Sequence, residues 1–153
     1  MARRTTPAVS YLLALGFAAL SCASSGCRSD PYKLGKRAPV RGRITVDGAP
    51  LRTGIVTFHP DVSRGNTSPH QPSANIDKDG NYALFTVGEA QAPLGWYKVV
   101  VLAYERDDDV KGKRPDEPKR LVAAAYEDMK TTPLSREVIE GAPPGTYDLQ
   151  LSP

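Results

Sequence analysis

The sequence predicts an all-β protein, an antiparallel seven-stranded β-sandwich, on three observations. Short segments alternate apolar with polar residues, clusters of Gly, Pro, Asp and Asn separate those segments, and no stretch sustains a helical apolar period.

The first strand is written in "VRGRITVDGAPL", where Val40, Gly42, Ile44 and Val46 alternate with Arg41, Arg43 and Thr45. Alternation with β-branched residues describes a half-buried strand, and Asp47 to Pro50 is turn chemistry. In "LRTGIVTFHPD" Val56 and Phe58 share one face and Ile55, Thr57 and His59 the other, which predicts a second strand paired with the first as a hairpin. Residues 62–72 form a polar loop without period. In "SANIDKDGNYALF", Ala74 and Ile76 precede Asp79-Gly80 and Tyr82 and Leu84 follow it, a hairpin pattern because Gly supplies the positive φ of the turn.

The most apolar segment after the opening run is "GWYKVVVLAYE". Tyr97, Val99, Val101 and Ala103 face one way, and Trp96, Lys98, Val100, Leu102 and Tyr104 the other, as in a central strand partly covered on its second face. Residues 106–120, "RDDDVKGKRPDEPKR", carry both signs of charge and two prolines and read as a solvated insert. "LVAAAYEDM" fits a short helical turn or an irregular strand equally. "SREVIEG" and "TYDLQLSP" complete the seven strands, the last placing Tyr147, Leu149 and Leu151 on one face.

The chain opens differently. Arg3 and Arg4 precede an apolar run from Ala8 to Leu20, small residues follow, and no acid occurs before Asp30, the layout of a secretory signal. The run is too short for a spanning helix, which needs roughly 20 residues, so the expected product is exported. In "SCASSGC" the small residues leading into Cys22 and Cys27 resemble the bacterial lipobox, in which the thiol receives diacylglycerol and the signal is cut just before it. Neither cysteine has the usual aliphatic residue three positions earlier. Lipidation at Cys22 would leave Cys27 a free thiol in an oxidising compartment, which favours Cys27 without excluding Cys22. An ordinary secreted protein, with Cys22 discarded or paired to Cys27, is the alternative. The expected organisation is a lipoprotein signal peptide at 1–26, a flexible tether at 27–39 and one domain at 40–153.

Cleavage at Cys27 removes two of the 20 basic residues and none of the 17 acidic ones. The near-neutral remainder argues neither for nucleic acid nor for anionic lipid as an electrostatic partner. About 125 residues are enough for one domain with its own core, and no cysteine follows Cys27 to staple it.

The order of these segments resembles small bacterial lipoproteins with a carboxypeptidase-regulatory-like, transthyretin-like (prealbumin-like) domain. A valine-glycine strand falls on Val40 and Gly42, a D-G-x-P-L turn on Asp47 to Leu51 and a G-x-V-x-F-x-P strand on Gly54 to Pro60. A D-x-D-G-x-Y hairpin falls on Asp77 to Tyr82 and a G-x-Y-x-V-x-V strand on Gly95 to Val101, while "TTPLSREVIEG" resembles the Thr-Pro-Leu strand. The similarity runs from Val40 to Leu151, except for the charged insert. It implies a prealbumin-like fold and an accessory or structural role, and it transfers no catalytic residues.

Candidate chemistry is sparse. Asp77 to Gly80 opens like a calcium loop but lacks the closing Glu, and reads as a turn. His59 and His70, the two histidines, lie outside any metal or peptidase pattern. No G-x-S-x-G is present, and the closing "YDLQLSP" lacks the Tyr-Arg-Gly-Ser of the transthyretin-like hydrolase of the urate pathway. Trp96 and Tyr104, with Lys98 between them, form a row of aromatics suited either to stacking sugars or to burial.

The expectation is therefore a non-enzymatic, lipid-anchored cell-envelope protein, periplasmic or surface-facing, with no cofactor or metal. Its partners are the membrane, through the acyl anchor, and an unidentified protein or glycan. A carbohydrate-binding module using Trp96, Lys98 and Tyr104 is the alternative function, and a hydrolase or metal site around His59 and His70 a third.

Overall fold

The computed structural model describes residues 32–105 and 118–153. The signal, Cys22, Cys27 and residues 106–117 of the charged insert lie outside the described residues.

The chain is all-β. Its strands are β1 (Arg37–Ala38), β2 (Arg41–Val46), β3 (Ala49–Pro50), β4 (Ile55–Pro60), β5 (Ser73–Asn75), β6 (Asn81–Ala83), β7 (Ala92–Pro93), β8 (Gly95–Leu102), β9 (Ser135–Val138) and β10 (Leu149–Leu151). Each segment with strand alternation in the sequence contains one of these. The three two-residue strands β1, β3 and β7 are too short to carry a period. "LVAAAYEDM" holds a 3-10 turn at Ala124–Glu127.

One sheet has the order β5-β4-β8-β9, antiparallel throughout. Another is centred on β2, and β1 with β7 forms a third, two-stranded sheet. Antiparallel β6 and β3 lie end to end along one edge of β2, since the Ile44 N–H donates to Gly80 O while the Ile44 carbonyl accepts from Leu51 N. On the opposite edge β10 runs parallel to β2, pairing Leu149 with Ile44 and Leu151 with Val46. This pair departs from the expected all-antiparallel arrangement. A parallel neighbour needs a long crossover, which the chain between β2 and β10 supplies.

The expected hairpin of the first two long strands does not form, because β2 and β4 belong to different sheets. Asp47 and Gly48, at φ 49° and 82°, do make the turn, but it returns the chain only as far as β3. Gly54, at φ 125°, then crosses to the sheet of β4, and a Cβ there would stand 2.5 Å from the Leu102 carbonyl oxygen. The Asp79-Gly80 turn forms as expected, closed by Asp77 N to Asn81 O at 3.0 Å and by reciprocal bonds between Ser73 and Phe85. Between those points the arms part, β5 joining β4 and β6 joining β2, so this hairpin bridges the sheets.

The inward faces of both larger sheets feed one hydrophobic cluster. Val40, Ile44, Leu84 and Leu149 come from the β2 side, and Val56, Phe58, Tyr97, Val99, Val101 and Val138 from the other. The Phe58 ring packs 5.8 Å from Tyr97 and 6.5 Å from Tyr82, centroid to centroid. The hydroxyls of these two tyrosines are satisfied: Tyr97 donates to Pro93 O at 2.8 Å and Tyr82 to Tyr147 O at 2.6 Å. Packing begins before Val40. Within the segment read as a tether, Leu34 and Ala38 are buried, and β1 pairs with β7.

Candidate functional site

Trp96 sits near the start of β8 on its outward face, half-buried, directly across from Glu137 of β9. Its carbonyl accepts from Asp61 N at 2.9 Å and from Asn66 Nδ2 at 2.8 Å, which binds the loop after β4 to this strand. That loop begins with a 3-10 turn, Val62–Arg64, capped at its start by Asp61 and closed by Gly65 at φ 83°. The cap fixes Arg64, whose guanidinium carbon lies 4.2 Å from the Trp96 ring centroid, a cation–π stack.

Asp61 is buried and supports that stack. Its Oδ1 accepts from Ser63 Oγ at 2.5 Å and Ser63 N at 3.1 Å, and Oδ2 lies 3.8 Å from Arg64 Nε without accepting a hydrogen bond. The Ser63 hydroxyl bond foremost, then the Ser63 N–H and the charges of Lys98 and Arg64, outweigh burial and hold this carboxyl below its usual range. Asp61 is thus an anion at neutral pH.

Beside the stack lies an open cleft of about 740 Å³ between this loop and the segment that leads into the fold. Lys33, Lys36 and Arg64 contribute cations, Glu137 the opposing carboxylate, and Leu34, Pro69, Pro93 and Leu94 apolar walls. His70 Nε2 bonds the Tyr32 carbonyl at 2.6 Å and ties the entering chain to the loop.

The other residues of the predicted row stand apart. Tyr104 lies beyond β8, about 26 Å along extended chain from Trp96. Its hydroxyl donates to Glu127 Oε2 at 3.0 Å, which Arg120 Nε also approaches at 3.2 Å. Lys98 faces outward opposite His59 of β4. Trp96 and Lys98 therefore share one end of the sheet, and Tyr104 belongs to a separate polar cluster.

His59 and His70 occupy a strand and a loop. Partial burial lowers the His59 pKa and favours the neutral ring. Among the described residues no group of three or more His, Cys, Asp or Glu converges as metal ligands. The Asp77 carboxylate is engaged by its own turn, Oδ1 accepting from Asp79 N and Asn81 N at 2.8 Å each.

A second open cleft, of about 1000 Å³, lies over the divergence of β5 and β6. Arg41, Asn75, Asp77 and Asp148 line it, along with Phe85 and Ile55, which are 52% and 46% exposed.

Sequence reasoning singled out Trp96 as a candidate and missed the loop that builds its surroundings. Asp61-x-Ser63 followed by Gly65 is a capping pattern, the one local sign that Arg64 is held in place. The meeting of Lys33 and Lys36 with Trp96 has no local sign, being a contact between distant parts of the chain. Among the described residues no helix is long and apolar enough to cross a membrane. Comparison with protein-family models, with curated proteins and with solved structures gives no significant match.

Proposed function

We propose that this chain is a lipid-anchored cell-envelope protein that acts by binding, presenting one transthyretin-like β-sandwich to a partner. The observation that carries the reading is the order of its parts. A basic start, a short apolar run and small residues leading into Cys22 and Cys27 are followed within a few residues by a packed domain, whose core runs from Leu34 to Leu151. An acyl-bearing cysteine there would hold the domain at a membrane, and two or more acyl chains give stable attachment where one is marginal. The finer fold is supported by the motif positions, since Gly42 lies in β2 with Val40 just before it, Gly54 to Pro60 lead into and span β4, Asp77 to Tyr82 make the bridging hairpin, and Gly95 to Val101 lie in β8. Both clefts are open surfaces suited to recognition.

The deciding experiment is intact and peptide mass spectrometry of the protein purified from a lipoprotein-processing bacterial host. A mature amino terminus at Cys27 or Cys22 bearing a diacylglyceryl mass is expected. An unmodified terminus after signal cleavage would overturn the anchored reading.

Carbohydrate binding is the second reading, favoured by Trp96 at an open cleft large enough for a sugar. Here a glycan added to the folded protein shifts Trp96 fluorescence. No response across a broad panel of neutral and acidic glycans removes this reading.

A further inference from the structure

We infer that the Trp96 cleft faces the bilayer and receives the phosphate groups of anionic phospholipid heads. The inference rests on the anchored reading, which it deepens by assigning the domain a side that meets the membrane.

Three observations converge on this end of the molecule. The first is charge with unspent donors. Lys33, Lys36 and Arg64 line one cleft against the single carboxylate of Glu137, and the Asp61 anion beneath Arg64 is shared with Lys98. The guanidinium carbon lies 4.2 Å from the Trp96 centroid, and the approach to Asp61 is through Nε, at 3.8 Å, so the terminal nitrogens are not spent on that carboxylate. A planar guanidinium stacked on an aromatic ring, in one cleft with two lysines, suits a phosphate oxygen cluster.

The second is an apolar tip. Val62, two residues before Arg64, is 71% exposed at the crest of the capped turn, the largest exposure among the exposed large hydrophobic residues described. An exposed apolar side chain two residues from a cation of the cleft matches an interface whose polar heads lie above hydrocarbon.

The third is the leash. The chain enters the fold at this cleft, pinned by the bond between His70 and the Tyr32 carbonyl. Tyr32 lies five positions after Cys27, so an acyl group at Cys27 places Tyr32 within about 17 Å of it, and one at Cys22 within about 35 Å, at full extension. Phospholipid heads are then at high local concentration, which favours the lipid over a free phosphate compound.

The test supplies its own anchor, so natural acylation does not decide it. Residues 28–153 include every buried core residue described, and this segment, with an amino-terminal histidine tag, is held on vesicles through a nickel-chelating lipid. Trp96 is the sole tryptophan and reports directly through quenching by lipids brominated near the head group. Quenching is expected to be at least about twofold stronger with phosphatidylglycerol present than on phosphatidylcholine alone. It should fall to the neutral-vesicle level in the Lys33→Glu, Lys36→Glu double variant, since each basic residue near an anionic surface contributes about fivefold in partitioning. Val62→Asp, a change at a solvent-facing position, should weaken it as well.

Equal quenching on both vesicle types, or quenching indifferent to the charge reversals, would overturn the proposal. So would a Trp96 response to inorganic phosphate or glycerophosphate in solution without one to anionic vesicles, which would make the cleft a site for a soluble phosphate compound. Loss of the acyl mass with retained vesicle preference would sink the anchored reading and leave the surface; the reverse result would spare the anchor alone.

Discussion

Gly42→Ala tests the joint between the first core strand and the last. A Cβ at position 42 would lie 2.4 Å from the Tyr147 carbonyl oxygen, 2.7 Å from its carbon and 3.0 Å from Tyr82 Cε1. Two of those atoms are backbone, so relief requires β2 to move from the chain leading into β10 by roughly 1 Å, given ordinary carbon–oxygen contacts of about 3.4 Å. Overpacking of this kind costs about 1–3 kcal/mol. The same movement strains the Tyr82 hydroxyl bond to Tyr147 O, and a buried carbonyl left without its donor adds about 1–3 kcal/mol. We expect a loss of about 3 kcal/mol, read as a urea midpoint lowered by about 2 M at an unchanged m-value of about 1.5 kcal/mol/M. Gly48→Ala is the control. It has the left-handed φ of 82° that Gly42 lacks, yet nothing lies within 4 Å of its added Cβ, so it should lose only about 1 kcal/mol. If Gly42→Ala proves no more harmful than Gly48→Ala, the close approach of the two backbones is wrong.

Two further outcomes follow from the packing and the turn. Phe58→Ala removes a fully buried ring wedged between Tyr82 and Tyr97 and should cost about 3–5 kcal/mol by chemical denaturation; a loss below about 1 kcal/mol would mean that the two sheets do not share this core. The Asn81 N–H foremost, and then the Asp79 N–H, lower the Asp77 pKa in the fold, so its contribution is present above the unfolded value near 3.8 and is lost as pH falls through the folded value. Asp77→Asn should therefore be less stable at neutral pH and show a shallower acid limb in urea midpoints measured from about pH 2.5 to 7, whereas parallel curves would deny the carboxylate its role.

What the sequence made legible is what local periodicity encodes. Tyr97, Val99, Val101 and Ala103 alternate in the sequence and are all fully buried, and the Asp47-Gly48 and Asp79-Gly80 turns form where Gly permits positive φ. Alternation shows which face of a strand is inward but not which strand lies beside it. The β2–β4 hairpin was the natural reading for that reason, and it failed because the turn at Asp47 serves β3 while Gly54 carries the chain across. The parallel pairing of β10 with β2 had no local trace either. At the candidate site Trp96 was visible as a large aromatic on an outward face. Arg64 above it and the lysines beside it were not, since their meeting depends on how a loop and an entering segment are tied down, through Asp61, Asn66 and His70.

The parallel pairing of β2 with β10 also has a consequence in time. Residues 41–46 are synthesised more than a hundred positions before the strand that completes their sheet. As the chain emerges from the ribosome, one edge of β2 stays open until Leu151 has been made, and with it the cluster that Leu149 and Leu151 help to close. Contacts this distant form slowly because the intervening loop must be gathered first. A polypeptide whose first core strand waits for its last completes its core only when its synthesis is over.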